Sequence, residues 1–71
     1  MEKQIQISLA AARVNAGLTQ DDVAKEMHVG KQTIVNWEKG LSEPKISQGM
    51  ELSRLFNLPL DCILFLPSKS N

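Results

Sequence analysis

Two short amphipathic segments of the sequence are separated by only three residues, and this spacing limits the folds open to the chain. The first segment covers residues 20–27 and the second covers residues 31–39, with the turn at residues 28–30 between them. In each segment the apolar residues fall on one face of a helix. These apolar residues are Val23, Ala24, Met27, Ile34 and Trp37. Because so short a turn holds its two helices together, the sequence predicts a tightly joined helix pair.

Local signals mark the ends of these two helices. Thr19 stands three residues before Asp22, the spacing of a capping box in which the threonine oxygen accepts from a backbone N–H and the carboxylate reaches back. Helix 2 is therefore predicted to begin at Gln20. Gly40 suits the left-handed position that follows a helix, so helix 3 is predicted to end at Lys39.

Three further helices are predicted around this pair. Helix 1 covers about residues 5–16, where Ile5, Leu9, Ala12 and Ala16 recur at helical spacing before Gly17. Helix 4 ends at about residue 56, and a short helix 5 begins after residue 59. The apolar positions of helix 4 are Ile46, Met50, Leu52, Leu55 and Phe56, and those of helix 5 are Leu60, Ile63 and Leu64. No alternating strand pattern appears, so the predicted fold is an all-α, five-helix domain.

Length and composition predict one domain without a disulfide bond or a structural metal. The 71 residues are predicted to form a single domain, with a core at about residues 5–66 and a polar tail at residues 67–71 that is expected to fray. The single cysteine, Cys62, cannot close an intrachain disulfide, and one histidine gives no cluster for zinc. We therefore expect no metal, no cofactor and a reducing, cytoplasmic setting. No apolar run approaches the roughly 20 residues of a membrane span, so we expect no membrane association, and no small-molecule ligand is evident.

The charge balance limits how the chain could bind nucleic acid. Eight basic residues face eight acidic ones, and the net charge is zero. A protein without excess positive charge does not bind nucleic acid by bulk electrostatics alone. Any such interface must depend on where particular lysines and amides lie.

A short motif accompanies the helix pair. Its residues are Gly17-Leu18-Thr19-Gln20, Val23-Ala24, Val29, Thr33–Gly40, Pro44 and Leu58-Pro59-Leu60-Asp61. In residue type and spacing they resemble the Cro/phage-repressor (XRE) helix-turn-helix family, from about Leu9 to Phe65. The resemblance implies a lambda-repressor-like DNA-binding domain with its helix-turn-helix at helices 2 and 3, and a commonly dimeric transcriptional regulator whose second motif helix enters the major groove.

Three positions depart from the family pattern. His28 holds a turn position usually occupied by glycine, and histidine adopts the left-handed conformation less easily. Gly30 replaces the usual serine or threonine cap of helix 3, which makes a weaker cap. Gly49 replaces a usual apolar residue and is expected to weaken the packing of helix 4. None of the three removes a residue that would read DNA.

The outer face of helix 3 has the chemistry that base recognition needs. Gln32 and Asn36 can each pair bidentately with adenine N6 and N7. Lys31 can reach guanine O6 and N7 or a phosphate, and Val35 can touch a thymine methyl. The alternative for these four residues is a plain solvated polar face.

Phosphate contacts are expected at the start of helix 2 and around helix 3. Gln20 begins helix 2, where backbone N–H groups favour an anion, and the matching glutamine of the family contacts phosphate. The other predicted phosphate residues are Thr33, Lys39, Gly40 and Lys45. The alternative is ordinary solvated side chains, and Glu43 lies where it would repel DNA.

The resemblance also implies a structural ion pair. Arg13 and Glu38 match the positions of a buried pair that ties helix 1 to helix 3 in family members. Removal of one partner of a buried pair can cost about 3–5 kcal/mol. The alternative is two exposed charges on separate helices.

The C-terminal end predicts a homodimer. Phe65 and Leu66 are large apolar residues that helix 5 does not need for its own packing, and an exposed apolar patch usually marks an interaction. The alternative is that Phe65 folds back under helix 1.

We therefore expect a small repressor that occupies a double-stranded DNA operator. An antitoxin-like protein-interaction module is the alternative, and a copy of the fold that has lost DNA binding is a third possibility. An enzyme is the least supported class, because His28 and Cys62 lack the third group that a catalytic pair needs.

Overall fold

A computed structural model describes residues 6–65 of the chain. In chain order its elements are β1 (Ile7–Ser8), α1 (Leu9–Asn15), α2 (Gln20–Met27), α3 (Lys31–Lys39), α4 (Ile46–Phe56), a 3-10 turn (Leu60–Cys62) and β2 (Ile63–Leu64). Within this range there are four α-helices, so the expected count of five is corrected.

The second and third helices begin and end where the local signals predicted. α2 begins at Gln20 and α3 ends at Lys39. Both hydrogen bonds of the capping box between Thr19 and Asp22 are present. Gly40 follows α3 in the left-handed conformation, with a φ of 75°. These signals are reliable because each one acts within a single turn of the helix that it caps.

The N-terminal helix is shorter than predicted. Ser8 caps α1, with its Oγ accepting from the backbone N of Ala11 at 3.0 Å, so the helix begins at Leu9. Ile7 and Ser8 form β1, and the prediction that they are helical is wrong. Serine favours the cap position over the helix interior because its oxygen can satisfy a free backbone N–H there. The predicted helical residue Ile5 lies outside the described residues, as does the predicted tail at 67–71.

The predicted helix 5 is instead a 3-10 turn followed by a strand. Ile63 leaves the turn in an extended conformation, with φ −101° and ψ 121°. β2 then pairs in parallel with β1, with Ile63 opposite Ile7 and Leu64 opposite Ser8. The described residues are therefore mostly helical, as predicted, with this small sheet as an element that the prediction lacked. Apolar spacing could not reveal it, because the pairing joins segments from opposite ends of the domain.

One core joins all four helices and β2. Its buried side chains are those of Leu9, Ala12, Val23, Ala24, Met27, Ile34, Trp37, Leu52, Phe56 and Ile63. The predicted inward faces of helices 2 and 3 are confirmed by this set.

The first half of α4 does not pack as predicted. Ile46 is 81% exposed and Met50 is 54% exposed, whereas Leu52 and Phe56 are buried. The first pair lies four residues apart, on the exposed side of the helix. The apolar stripe of α4 is therefore wider than the core it faces, and part of it lies on the surface.

Candidate nucleic-acid interface

The turn between α2 and α3 fixes the direction in which α3 leaves the core. His28 adopts the left-handed conformation, with a φ of 59°, in the place where the related family uses glycine. The backbone N of Val29 then donates to the carbonyl of Ala24 at 3.0 Å. Gly30 is extended and caps α3 without a side-chain hydrogen bond. Ile34 and Trp37 are buried on the inner face of α3 and anchor the helix in the core.

The outer face of α3 presents the four predicted base-reading residues. Lys31 and Gln32 are exposed, and Val35 and Asn36 are half-buried. Residues 31, 32, 35 and 36 lie on one side of a helix because its period is 3.6 residues. We refer to Lys31, Gln32, Val35 and Asn36 as the recognition face.

The two amides of the recognition face are hydrogen-bonded to each other. Nε2 of Gln32 donates to Oδ1 of Asn36 at 3.0 Å, across one turn of the helix. The amide nitrogen of Asn36 and the amide oxygen of Gln32 take no part in this bond. Because each amide limits the rotamers of the other, the pair is partly ordered before any ligand arrives.

The start of α2 is occupied by its own capping residues. Oγ1 of Thr19 accepts from the backbone N of Asp22 at 3.0 Å, and Oδ2 of Asp22 accepts from the backbone N of Thr19 at 2.8 Å. The backbone bond from Thr19, with the side-chain bond and the nearby Lys25, holds the pKa of Asp22 below its ordinary value. Asp21 adds a second acidic residue in this first turn. An anion here therefore meets carboxylates as well as free N–H groups.

The predicted ion pair lies beneath this helix start. Nε of Arg13 donates to Oε2 of Glu38 at 2.7 Å, and the two side chains are 15% and 8% exposed. Nη1 of Arg13 also donates to the carbonyl of Leu18 at 2.9 Å. The pair thus joins α1, the loop before α2 and the end of α3.

Gln20 belongs to the same cluster, which sequence reasoning missed. Its Nε2 donates to Oε1 of Glu38 at 2.9 Å, and the side chain is half-buried. The sequence offered no signal for this bond, because the two residues are eighteen positions apart on different helices. The predicted phosphate ligand and the predicted ion pair are therefore one hydrogen-bonded unit.

The other predicted phosphate residues lie at both ends of α3 and beyond it. Thr33 is half-buried in the first turn of α3, and Lys39 is exposed in its last turn. Gly40 is buried, so only its backbone is suited to contact a ligand. Lys45 is exposed at the start of α4, where its backbone N donates to Oε1 of Gln48 at 2.8 Å. The structure does not join Lys45 to the recognition face by any described bond.

A second surface is apolar and is formed by α4 and the 3-10 turn that follows it. Ile46, Met50 and Leu60 are exposed, and we refer to these three residues as the apolar surface. A groove of about 340 Å³ lies beside it, with Pro44, Ile46, Gly49, Leu60 and Phe65 in its lining. A Cβ on Gly49 would stand 3.6 Å from Cδ1 of Leu60 and 3.9 Å from Cζ of Phe65, at ordinary contact distance.

The residues predicted for dimerisation are only partly described. Phe65 is half-buried and packs against the core, so it has an internal place that the sequence did not indicate. Leu66 lies outside the described residues. Of the residues predicted to pack helix 5 onto the core, Ile63 is buried, whereas Leu60 and Leu64 remain about two-fifths exposed.

Residues 6–65 contain neither a candidate metal site nor a candidate membrane span. No group of histidine, cysteine and acidic residues there could hold a metal ion. None of the helices in that range has the length and apolar character needed to cross a membrane.

Comparison with known proteins identifies a matching family and several relatives. A protein-family model described as Helix-turn-helix matches residues 9–61. The HTH-type transcriptional regulator ImmR of Bacillus subtilis (strain 168) is 32% identical over 56 residues, which are 79% of this chain and 44% of ImmR. The cryptic phage CTXphi transcriptional repressor RstR of Vibrio cholerae is 35% identical over 48 residues, which are 68% of this chain and 43% of RstR.

An archaeal relative matches over more of its own length. An uncharacterized HTH-type transcriptional regulator of Methanocaldococcus jannaschii is 35% identical over 46 residues, which are 65% of this chain and 70% of that protein. The chain spans less than half the length of ImmR and of RstR. No solved structure matches the chain significantly.

Proposed function

The chain belongs to the XRE-type helix-turn-helix family, and from this membership we propose that it is a sequence-specific DNA-binding transcriptional regulator. The observation that carries the proposal is the recognition face, four residues of base-reading type on the outer side of α3. Relatives named as a regulator and as a phage repressor support the same role. The protein acts as a repressor by occupying a double-stranded DNA operator and excluding polymerase from it.

Base reading is the part of the proposal that gives sequence preference. Asn36 reads adenine through Nδ2 and Oδ1, because its oxygen can accept from the base as well as from Gln32. Gln32 uses its free amide oxygen to accept from an exocyclic amino group. Lys31 donates to guanine O6 and N7 or to a phosphate, and Val35 packs on a thymine methyl.

Phosphate contacts give the domain its position on the duplex. Gln20 donates from the start of α2, and Lys39 and the backbone of Gly40 meet the DNA strand after α3. Thr33 donates from the first turn of α3, and Lys45 adds a cation at the start of α4. With zero net charge, the protein relies on these few groups rather than on an overall positive field.

The second part of the proposal is a homodimer. The apolar surface supports it, because Ile46, Met50 and Leu60 expose large apolar side chains beside a groove. A two-fold contact places the same patch of both copies together, so one surface on each copy is sufficient. Phe65 contributes from the edge of the groove, with Leu66 next to it in the sequence. The two recognition helices then lie about 34 Å apart on a roughly palindromic operator, with half-site centres about 10 base pairs apart.

A binding-site selection from random duplexes tests this function. Wild-type protein should enrich a roughly palindromic sequence, and titration of the enriched duplex should show weaker binding at moderate salt than at low salt. Arg54→Ala, which removes an exposed charge from the last turn of α4, is the matched control and should enrich the same sequence. Enrichment of no sequence by the wild type would contradict the proposal and favour a protein-interaction module.

A further inference from the structure

Glu38 uses both of its carboxylate oxygens on partners from different elements. Oε2 accepts from Nε of Arg13 at 2.7 Å, and Oε1 accepts from Nε2 of Gln20 at 2.9 Å. The side chain is only 8% exposed, so little water competes for either bond. The ion pair alone would leave Oε1 without a hydrogen-bond partner. The contact with Gln20 provides one, so both oxygens of the buried carboxylate are hydrogen-bonded.

The chemistry of Glu38 determines which way the amide of Gln20 points. A carboxylate can only accept hydrogen bonds, so the NH2 group of Gln20 must face it and the amide oxygen must face away. Nε2 carries two hydrogens, and one of them forms the hydrogen bond to Glu38. A phosphate oxygen also only accepts, so the second hydrogen of Nε2 is the one group of this side chain that can serve a phosphate.

We propose that Glu38 is a positioning residue for DNA binding: it holds the Gln20 amide so that its second N–H is presented to a phosphate at the start of α2. The inference rests on the proposed DNA-binding function. A glutamine held in one rotamer loses less conformational entropy when it binds than a free one does. Arg13 adds to this role, because its charge offsets that of Glu38, which would otherwise repel the phosphate.

The test compares the effect of Gln20→Ala in two backgrounds. The first is the wild type, and the second is the double variant Arg13→Met/Glu38→Met. Replacement of both partners of a buried ion pair by apolar residues is often neutral for stability, so the double variant is expected to fold, which circular dichroism checks. Affinity is measured by fluorescence anisotropy with a labelled duplex that carries the selected site.

Gln20→Ala should weaken binding about tenfold in the wild type, the size expected for one hydrogen bond to a charged group. In the double variant the same change should have less than about a twofold effect, because the amide is no longer held. The wild type and its Gln20→Ala variant should show the same dependence of affinity on salt, since contact of a neutral amide with a phosphate releases no counterion.

Each other outcome has a separate meaning. If Gln20→Ala weakens binding equally in both backgrounds, Glu38 has only a structural role and the inference is overturned. If Gln20→Ala has no effect in the wild type, Gln20 is not a DNA contact; the inference is then overturned while the proposed function stands. If the wild type binds no duplex, the proposed function itself fails.

A second measurement needs no substitution and covers the case in which the double variant does not fold. In isotopically labelled wild-type protein, the two Nε2 protons of Gln20 give separate NMR signals, because rotation about the amide C–N bond is slow, and the proton that faces Glu38 should lie downfield through its hydrogen bond. Addition of the selected duplex should shift mainly the other proton. Equal shifts of both protons, or no shift of either, would overturn the inference.

Discussion

The recognition face of α3 and the apolar surface of α4 and the 3-10 turn are both exposed, but they differ in what lies next to them. A hydrogen-bonded cluster of Arg13, Glu38 and Gln20 joins α1 to the helix pair that carries the recognition face. Beside the apolar surface lies a groove lined mainly by apolar residues. The helices that carry the recognition face are joined by specific hydrogen bonds, whereas Ile46, Met50 and Leu60 lie exposed beside an apolar groove.

The largest expected effect tests the support beneath the recognition face. Arg13→Met should lower the free energy of unfolding by about 3 kcal/mol, because it leaves the buried carboxylate of Glu38 without its cation. Denaturant unfolding followed by circular dichroism measures it. A double-mutant cycle with Glu38→Met should give a coupling of at least about 0.5 kcal/mol.

Arg54→Met is the control for this prediction, because it removes an exposed arginine from α4. It should change the free energy of unfolding by less than about 0.5 kcal/mol. Equal effects of the two substitutions, or simple additivity in the cycle, would show that the cluster does not support the fold.

The second prediction concerns base reading on the recognition face. Gln32→Ala or Asn36→Ala should each cost about 1–3 kcal/mol on the selected site and relax its preference at one position. Because the two amides are bonded at 3.0 Å, the double variant should cost less than the sum of the single ones. Titration with the selected site and its single-base variants measures this. Wild-type affinity and specificity in both single variants would remove these residues from the interface.

The third prediction moves to the apolar surface. Ile46→Ser with Met50→Ser should weaken cooperative binding to a two-half-site operator by about 1–2 kcal/mol, because full burial of such a side chain is worth about 1.5–3 kcal/mol. Binding to a single half-site should stay nearly unchanged. These positions give a cleaner test than Phe65, whose substitution would also disturb the core. A wild type that occupies one half-site as a monomer, by mass measurement on DNA, would end the dimer proposal.

The fourth prediction separates phosphate contact from base reading. Lys39→Ala should weaken binding to selected and random duplexes alike, because a phosphate contact has no sequence preference. The slope of log affinity against log salt should fall by about one for the lost contact. Lys25→Ala on α2 is a control that also removes one exposed lysine. An unchanged slope for Lys39→Ala would remove Lys39 from the phosphate contacts.

The smallest expected effect concerns the cap of α2. The pKa of Asp22 is lowered from its ordinary value of 3.8 by its bonds with Thr19, so the ionised form stabilises the folded state. This contribution is fully present above about pH 3.8 and is lost as the pH falls through the lower pKa of the folded state. Asp22→Asn should therefore reduce the loss of stability in that acidic range, measured by thermal unfolding at several pH values. An identical acid dependence in both proteins would contradict the prediction.

Local sequence signals alone predict the helix pair and the outer positions of Lys31, Gln32, Val35 and Asn36. The capping box at Thr19, the stop at Gly40 and the apolar spacing of helices 2 and 3 each act within one or two turns. Such signals are complete in a short stretch of sequence, so the predicted bounds of α2 and α3 match the structure. The outer positions of the recognition-face residues follow directly from those bounds and from the buried Ile34 and Trp37.

The features that join distant parts of the chain depend on tertiary packing. The pairing of Ile7 with Ile63 made a strand where apolar spacing predicted a helix. The limited extent of the core left Ile46 and Met50 on the surface, although their spacing matched the buried stripe. The bond from Gln20 to Glu38 joined two separately predicted sites. Periodicity reports which residues share a face of one helix, but which faces meet depends on how all the elements pack together.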